Sequence, residues 1–237
     1  TQQTSVGRSM PSTSNGRIHE EEITIHDKIF RGYSVEASPA QAIQFALLEI
    51  ADRTPSLVVA GINYGENVGI GVTISGTVGA AMEAATFDIP ALAVSLEVHR
   101  DLYLSHSTEV DFNVAAHFTA YFAKLLMNLK NLPKDVDLLK VDVPENADLN
   151  TTWRITRISR QRYYIPSKTP REKLADPGLV GFDIKIFDET LEPDSDIKAL
   201  ARDRVVSVTP LSLDITSRIE LKEWEKQLHE MIMPTEK

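Results

Sequence analysis

The chain has 237 residues, 42% of them hydrophobic and 25% charged, which is enough for one sizeable α/β core and does not require a second domain. Its 34 acidic residues against 25 basic ones leave a formal charge of −9, which argues against non-specific binding of a nucleic-acid polymer or an anionic membrane surface. The absence of cysteine excludes disulfides, thiolate-held metals and a thiol nucleophile, so chemistry here has to use oxygen, nitrogen or a bound metal.

The chain opens on the polar run TQQTSVGRSMPSTSNGR, which reads as a loop entering from an element ahead of it. Residues 22–30 and 31–36 alternate as a hairpin with Asp27 near its turn. Ser38-Pro39 predicts an N-cap with proline at the first helical position, and Ile43, Ala46, Leu47 and Ile50 mark one face of that helix. Leu57-Val58-Val59-Ala60 ends at Gly61 and predicts a strand buried on both faces. The loop that follows, residues 61–76, has glycine at 61, 65, 69, 71 and 76 with Asn63 and Asn67 between them, so its backbone can lie close against a ligand. Ser75 or Thr77 then caps a helix of small residues. The N–H groups of its first turn, the helix dipole and two hydroxyls converge there on an anion, and a phosphate suits them best. Neither GxxxxGK[ST] nor GxGxxG fits, because the loop has no lysine and residues 69–74 lack the third glycine. A glycine-rich loop of this kind reads equally well as an anion site or as a tight turn. Phe87-Asp88-Ile89-Pro90 then leads into the apolar residues 91–94, which close a β-loop-α-β unit.

A polar loop to Ser107 precedes a long helix to about Lys130, with Val110, Val114, Phe118, Tyr121, Phe122, Leu125 and Leu129 on its buried side. Residues 139–143 and 153–158 read as strands, and residues 182–187 alternate as an exposed one. Between them, 159–177 is a basic, proline-containing excursion. An acidic turn at 192–196, a short helix to Ala201 and a strand at 205–208 follow. The last helix, over 214–233 and capped near Thr216 or Ser217, carries Leu221, Trp224, Leu228 and Met231 as a narrow apolar stripe. No apolar run has the length of a membrane span and no signal peptide opens the chain, so the expectation is a soluble, cytoplasmic protein. None of the six histidines has a ligand spacing such as HExxH. Arg154, Arg157, Arg160 and Arg162, with Tyr163-Tyr164 beside them, form either a solvated strand edge and loop or a surface that recognises a base or a neighbouring subunit.

The string Gly61-Ile62-Asn63-x-Gly65-x-Asn67-x-Gly69, followed by Ser75-Gly76-Thr77-Val78 and Ala81-Met82-Glu83, resembles the signature of the SurE-like survival-protein family of metal-dependent 5′/3′-nucleotidases. Matches of the same order at residues 3–9, 139–144, 154–159 and 196–211 extend the resemblance over the chain. It implies a single domain over 1–237 with a three-layer α/β fold and a Rossmann-like, mostly parallel sheet. A hairpin projecting over 159–187 and a C-terminal helix would pack on a second copy, as a homodimer or a dimer of dimers. The implied activity is that of a hydrolase releasing phosphate from nucleoside 5′- or 3′-monophosphates with Mg²⁺ or Mn²⁺. Asn63 and Thr4 would be metal ligands, and Ser75, Gly76 and Thr77 with Asn67 would bind the phosphate. The family's two carboxylates lie in an Asp-Asp-Gly loop of an opening segment, expected ahead of Thr1, so no catalytic residue is assigned within this sequence. A phosphate-binding or assembly protein without turnover is the rival reading.

Overall fold

The apolar runs of the sequence become the inner strands of a sheet, and the alternating ones become hairpins beside it. In the computed structural model, which describes residues 6–99, 102, 109–129, 131–178 and 180–232, β1 (Ile18–Ile25) and β2 (Lys28–Val35) form a separate antiparallel pair. The turn falls at His26-Asp27, both at positive φ, the geometry that joins two twisted strands through two residues. The turn thus includes Asp27, as expected, and the break between the strands comes four residues before the 30–31 boundary. Next, α1 (Pro39–Phe45) starts as predicted: Gln41 N donates to Ser38 Oγ at 3.1 Å and Ser38 N to Gln41 Oε1 at 3.2 Å, a reciprocal cap. A wider helical turn, Ala46–Ile50, continues it.

The chain then lays down β3 (Val58–Tyr64), α2 (Gly76–Ala85), β4 (Ala91–Leu96), α3 (Asn113–Asn128), β5 (Leu138–Val143) and β6 (Trp153–Ile155). It continues with β7 (Tyr164–Ser167), β8 (Gly181–Ile184), α4 (Asp196–Ala201), β9 (Val206–Leu211) and α5 (Leu221–Ile232). The main sheet has the order β3-β4-β5-β9-β6, with only the β5–β9 pairing antiparallel. The strands β7 and β8 pair with each other alone.

Every residue of β4 and β5 is buried, as central strands covered on both faces should be. The small residues of α2 lie against Ala60, Ala91, Ala93 and Leu138 on one face. On the other, Phe118, Phe122 and Leu126 of α3 pack on Leu92, Val94, Val141 and Val143. Helices on both sides of a mostly parallel sheet make this a three-layer α/β fold.

Several expectations are corrected. The strand expected over Leu57–Ala60 is not buried on both faces: β3 has one neighbour among the described residues, and Val59 is 41% exposed. It also runs past Gly61 to Tyr64, with a register shift between Ala60 and Asn63. On α3, Phe118, Phe122 and Leu126 recur every four residues and take the core. Tyr121 falls on the flank, edge-on to Phe122, and Leu129 is exposed because its backbone is already extended past the helix end. The strand expected to Ile158 stops at Ile155, since Arg157 turns away to bridge with Ser195. The last helix starts at Leu221 rather than 214: Asp214 accepts from Thr216 N at 2.8 Å, an Asx turn that stands in place of a cap. Most of the loop expected to reach Ser107 lies outside the described residues. Among those residues no helix is long and apolar enough to cross a membrane.

Candidate active site

One polar row crosses the sheet at the carboxyl ends of β3, β4 and β5 and the amino end of the antiparallel β9. Asn63 on β3 is in register with Ser95 on β4, Ser95 with Asp142 on β5, and Asp142 with Ser207 on β9. In open α/β sheets the crevice beyond the carboxyl ends of the parallel strands is where ligands bind. Asn63 is held on both sides of its amide: Oδ1 accepts from Thr77 Oγ1 at 3.0 Å and Nδ2 donates to Gly65 O at 2.6 Å. The amide thus faces the first turn of α2, the turn the sequence marks for a phosphate. Gly61 is at φ +119°, and a Cβ there would run into Val94 O, so only glycine lets β3 pass this close to β4.

At the start of α2, Ser75 is the N-cap. Its hydroxyl accepts from Val78 N at 3.1 Å, while Gly79 N donates to Ser75 O at 2.9 Å. The N–H groups of Gly76 and Thr77 have no partner among the described residues, which is the arrangement that receives an anion at a helix N-terminus. Residues 6–8 run along the same helix. A Cβ on Gly76 would meet Val6 at 3.3 Å, and one on Gly79 would meet Gly7 O at 2.5 Å and Arg8 N at 2.6 Å. Arg8 Nε then closes on the buried Glu83 at 2.6 Å. The small residues of α2 thus admit this segment against the helix, with Val6 at its N-terminal end. Thr4 lies outside the described residues.

Between Asn63 and Ser75 the glycine-rich loop is tied down from beneath. Asn67 N donates to Asp142 Oδ1 at 2.7 Å and Gly69 N to Asp196 Oδ2 at 3.0 Å. Lys140 Nζ bridges these two carboxylates, to Asp142 and, at 3.2 Å, to Asp196, with all three side chains fully buried. Burial by itself works against the Lys140 charge, and the two carboxylates outweigh it and raise its pKa. Burial also pushes Asp142 up, against the pull of Lys140. Both shifts have one sense because two carboxylates around one ammonium, in a dry pocket, hold protons tightly. Asn67 Nδ2 donates to Ser95 Oγ at 2.8 Å, so the Asn67 side chain braces the loop against β4. Tyr164 Oη caps the loop's other side, donating to Glu66 at 3.0 Å.

The arginines of the basic stretch lie toward solvent, whereas residues between them turn inward. Ser159 and Tyr163 are buried, the first with its N–H on Asp196 Oδ1 at 2.9 Å. Burial, and then the Glu66 carboxylate, push the Tyr163 hydroxyl far up, so it stays protonated; a ring that is 4% exposed does not stack on a base. Arg154 and Arg157 are paired with Asp203 and Asp194. The residues that sequence reasoning passed over are Lys140, Asp142 and Asp196. The signal was present in Leu138-Leu139-Lys140-Val141-Asp142-Val143: opposite charges two apart lie on one face of a strand whose other positions are apolar.

A profile of the family described as survival protein SurE matches residues 1–165. A 5′-nucleotidase SurE from Thermococcus kodakarensis is 39% identical over 201 residues, covering 83% of this chain and 74% of that protein. One from Methanocaldococcus jannaschii is 33% identical over 223 residues, covering 91% and 79%. Among solved structures, the SurE protein from Aquifex aeolicus superposes with a TM-score of 0.70 at 25% identity, over 97% of this chain and 85% of that one.

Proposed function

The chain belongs to the SurE survival-protein family, and on that premise we propose that it is a nucleotidase that hydrolyses nucleoside 5′-monophosphates, with 3′-monophosphates as further substrates, in a reaction that depends on a divalent cation. The observation that carries this reading is the α2 N-terminus: the open N–H groups of Gly76 and Thr77 sit behind a cap made by Ser75, beside the Asn63 amide. These N–H groups bind phosphoryl oxygens, and the helix dipole favours the charge that builds on them as water adds to phosphorus and the ester oxygen leaves. Thr77 reaches these oxygens through its N–H, because its hydroxyl spends its one hydrogen on Asn63 Oδ1 and so orients that amide. Asn67 acts one step back, by bracing the loop on Ser95.

A single neutral amide does not hold a hard dication, and among the described residues no group of three or more His, Cys, Asp or Glu is placed to do so. The described residues alone therefore do not form the metal site. The proposal takes Asn63 and Thr4 as two oxygen ligands of Mg²⁺ or Mn²⁺ and draws the carboxylates from outside the described residues. When bound, such an ion offsets phosphate charge and lowers the pKa of a coordinated water. A second copy of this chain, as a homodimer or dimer of dimers, would cover the apolar stripe of α5. The test is binding of inorganic phosphate by the full-length protein. Glycine in place of Ser75 keeps the backbone and removes the cap, so Ser75→Gly is expected to weaken binding; unchanged affinity would move the phosphate site away from this turn.

A further inference from the structure

The chemistry proposed above uses the upper side of the glycine-rich loop and leaves unexplained why three charges lie beneath it. Lys140 cannot touch a substrate, since its side chain has no exposure. Burying an ammonium with two carboxylates is a weak way to gain stability, and apolar residues of the same volume often do as well or better. The loop above is the opposite case, rich in the residue with the greatest backbone freedom: Gly65 lies at φ +105° and Gly69 at +57°. Such a loop keeps one path only if something outside it holds its backbone. Its N–H anchors include Gly65 N on Leu96 O at 2.9 Å, Asn67 N on Asp142, Gly69 N on Asp196 and, at 3.5 Å, Ile70 N on Gln161 O. Two of these four, the two charge-assisted ones, end on carboxylates that Lys140 joins. Asp142 spends one oxygen on Asn67 and the other on Lys140, and Asp196 places Oδ2 on both Gly69 and Lys140 while Oδ1 accepts from Ser159 N and Ile197 N.

We propose that Lys140 is a positioning residue: its ammonium locks the Asp142 and Asp196 carboxylates where they fix the N–H groups of Asn67 and Gly69, and so holds the loop that leads from Asn63 to the phosphate turn. What the loop binds rests on the nucleotidase reading; how it is held does not. Amide hydrogen exchange in the full-length protein, read residue by residue, separates the two. In Lys140→Met, exchange at both Asn67 and Gly69 is expected to quicken about tenfold or more, the weight of one charge-assisted hydrogen bond, with the amides of β4 and α3 unchanged. In Asp142→Asn the remaining Lys140 and Asp196 balance each other, so the protein keeps its fold and Asn67 alone is expected to loosen. KM for a nucleoside 5′-monophosphate rises in both variants while kcat per folded molecule holds, whereas mere loss of folded protein lowers kcat and leaves KM alone. Unchanged exchange at Asn67 in folded Asp142→Asn overturns the inference even if Lys140→Met fails to fold, and so does a rise spread evenly over β4 and α3. Because exchange needs no turnover, the expected pattern in a chain that hydrolysed nothing would sink the nucleotidase reading and leave Lys140 in its role.

Discussion

The glycine-rich loop and the terminal helix α5 are the two segments the sequence marks for contact, the loop with a ligand and the helix with a second copy, and the fold treats them in opposite ways. The loop is held by buried charge: Asn67 and Gly69 hang from Asp142 and Asp196, and Glu66, next to them in sequence, is only 3% exposed. On α5, by contrast, Trp224 is 48% exposed and Met231 79%, and the helix has no extensive packing on another element among the described residues. Loop residues thus gain order from the interior of their own domain. The helix has a regular pattern but little packing on that interior among the described residues, and an amphipathic face of this kind derives stability from what it docks on.

The contrast breaks most severely at Asp196. Alanine there takes the acceptor from Gly69, Ser159 and Ile197 and one partner from Lys140. Breaking a buried pair in this way costs about 3–5 kcal/mol, to be read from urea unfolding at neutral pH. A loss below 1 kcal/mol would mean that the loop is not hung from the interior. Ser75→Ala is milder, at about 1 kcal/mol for a lost N-cap, and it should also raise KM for a nucleoside monophosphate, because the first turn of α2 then loses the hydroxyl that holds it in place at Val78 N.

Acid tests the ties of the basic segment. Glu192 is pushed up by burial but pulled further down, below its ordinary 4.5, by the Ser159 hydroxyl and the Arg160 N–H. A carboxylate with a depressed folded pKa contributes stability above its ordinary pKa and loses it as pH falls through the depressed one. Stability should therefore drop below about pH 4.5, and Glu192→Gln should flatten that part of the profile by about 0.5 kcal/mol or less, given its exposure to solvent. The smallest effect on the domain belongs to α5. Trp224→Glu should leave the unfolding free energy within about 0.5 kcal/mol, while sedimentation shifts from dimer to monomer. Destabilisation by several kcal/mol with unchanged sedimentation would place the stripe on its own domain and erase the contrast.

Much of this was legible beforehand. Ser38-Pro39 gave the cap of α1, and residues 91–94 gave the strand that closes the β-loop-α-β unit, because capping and burial act over a few residues. The place of Asn63 beside Thr77 was legible only through the family resemblance, since they are fourteen positions apart and no local rule brings their side chains together. The exposure of Val59 was not legible at all, because a run of apolar residues does not say how many neighbours its strand has. Lys140 was missed because a charged residue in a strand is ordinarily read as solvent-facing, and its partner Asp196 is 56 residues away. Long-range pairing of buried charge is set by sheet order, which local patterns do not encode.

The central claim is nucleotide hydrolysis at the α2 turn, and the most direct measurement is release of phosphate from a panel of nucleoside 5′- and 3′-monophosphates by the full-length protein, with Mg²⁺, Mn²⁺ or EDTA. Release is expected to require the cation, to vanish in EDTA, and to fall in Asn63→Ala most steeply at limiting metal. A protein that binds the nucleotides but releases no phosphate with any cation would contradict the claim and identify the chain as a silent binder.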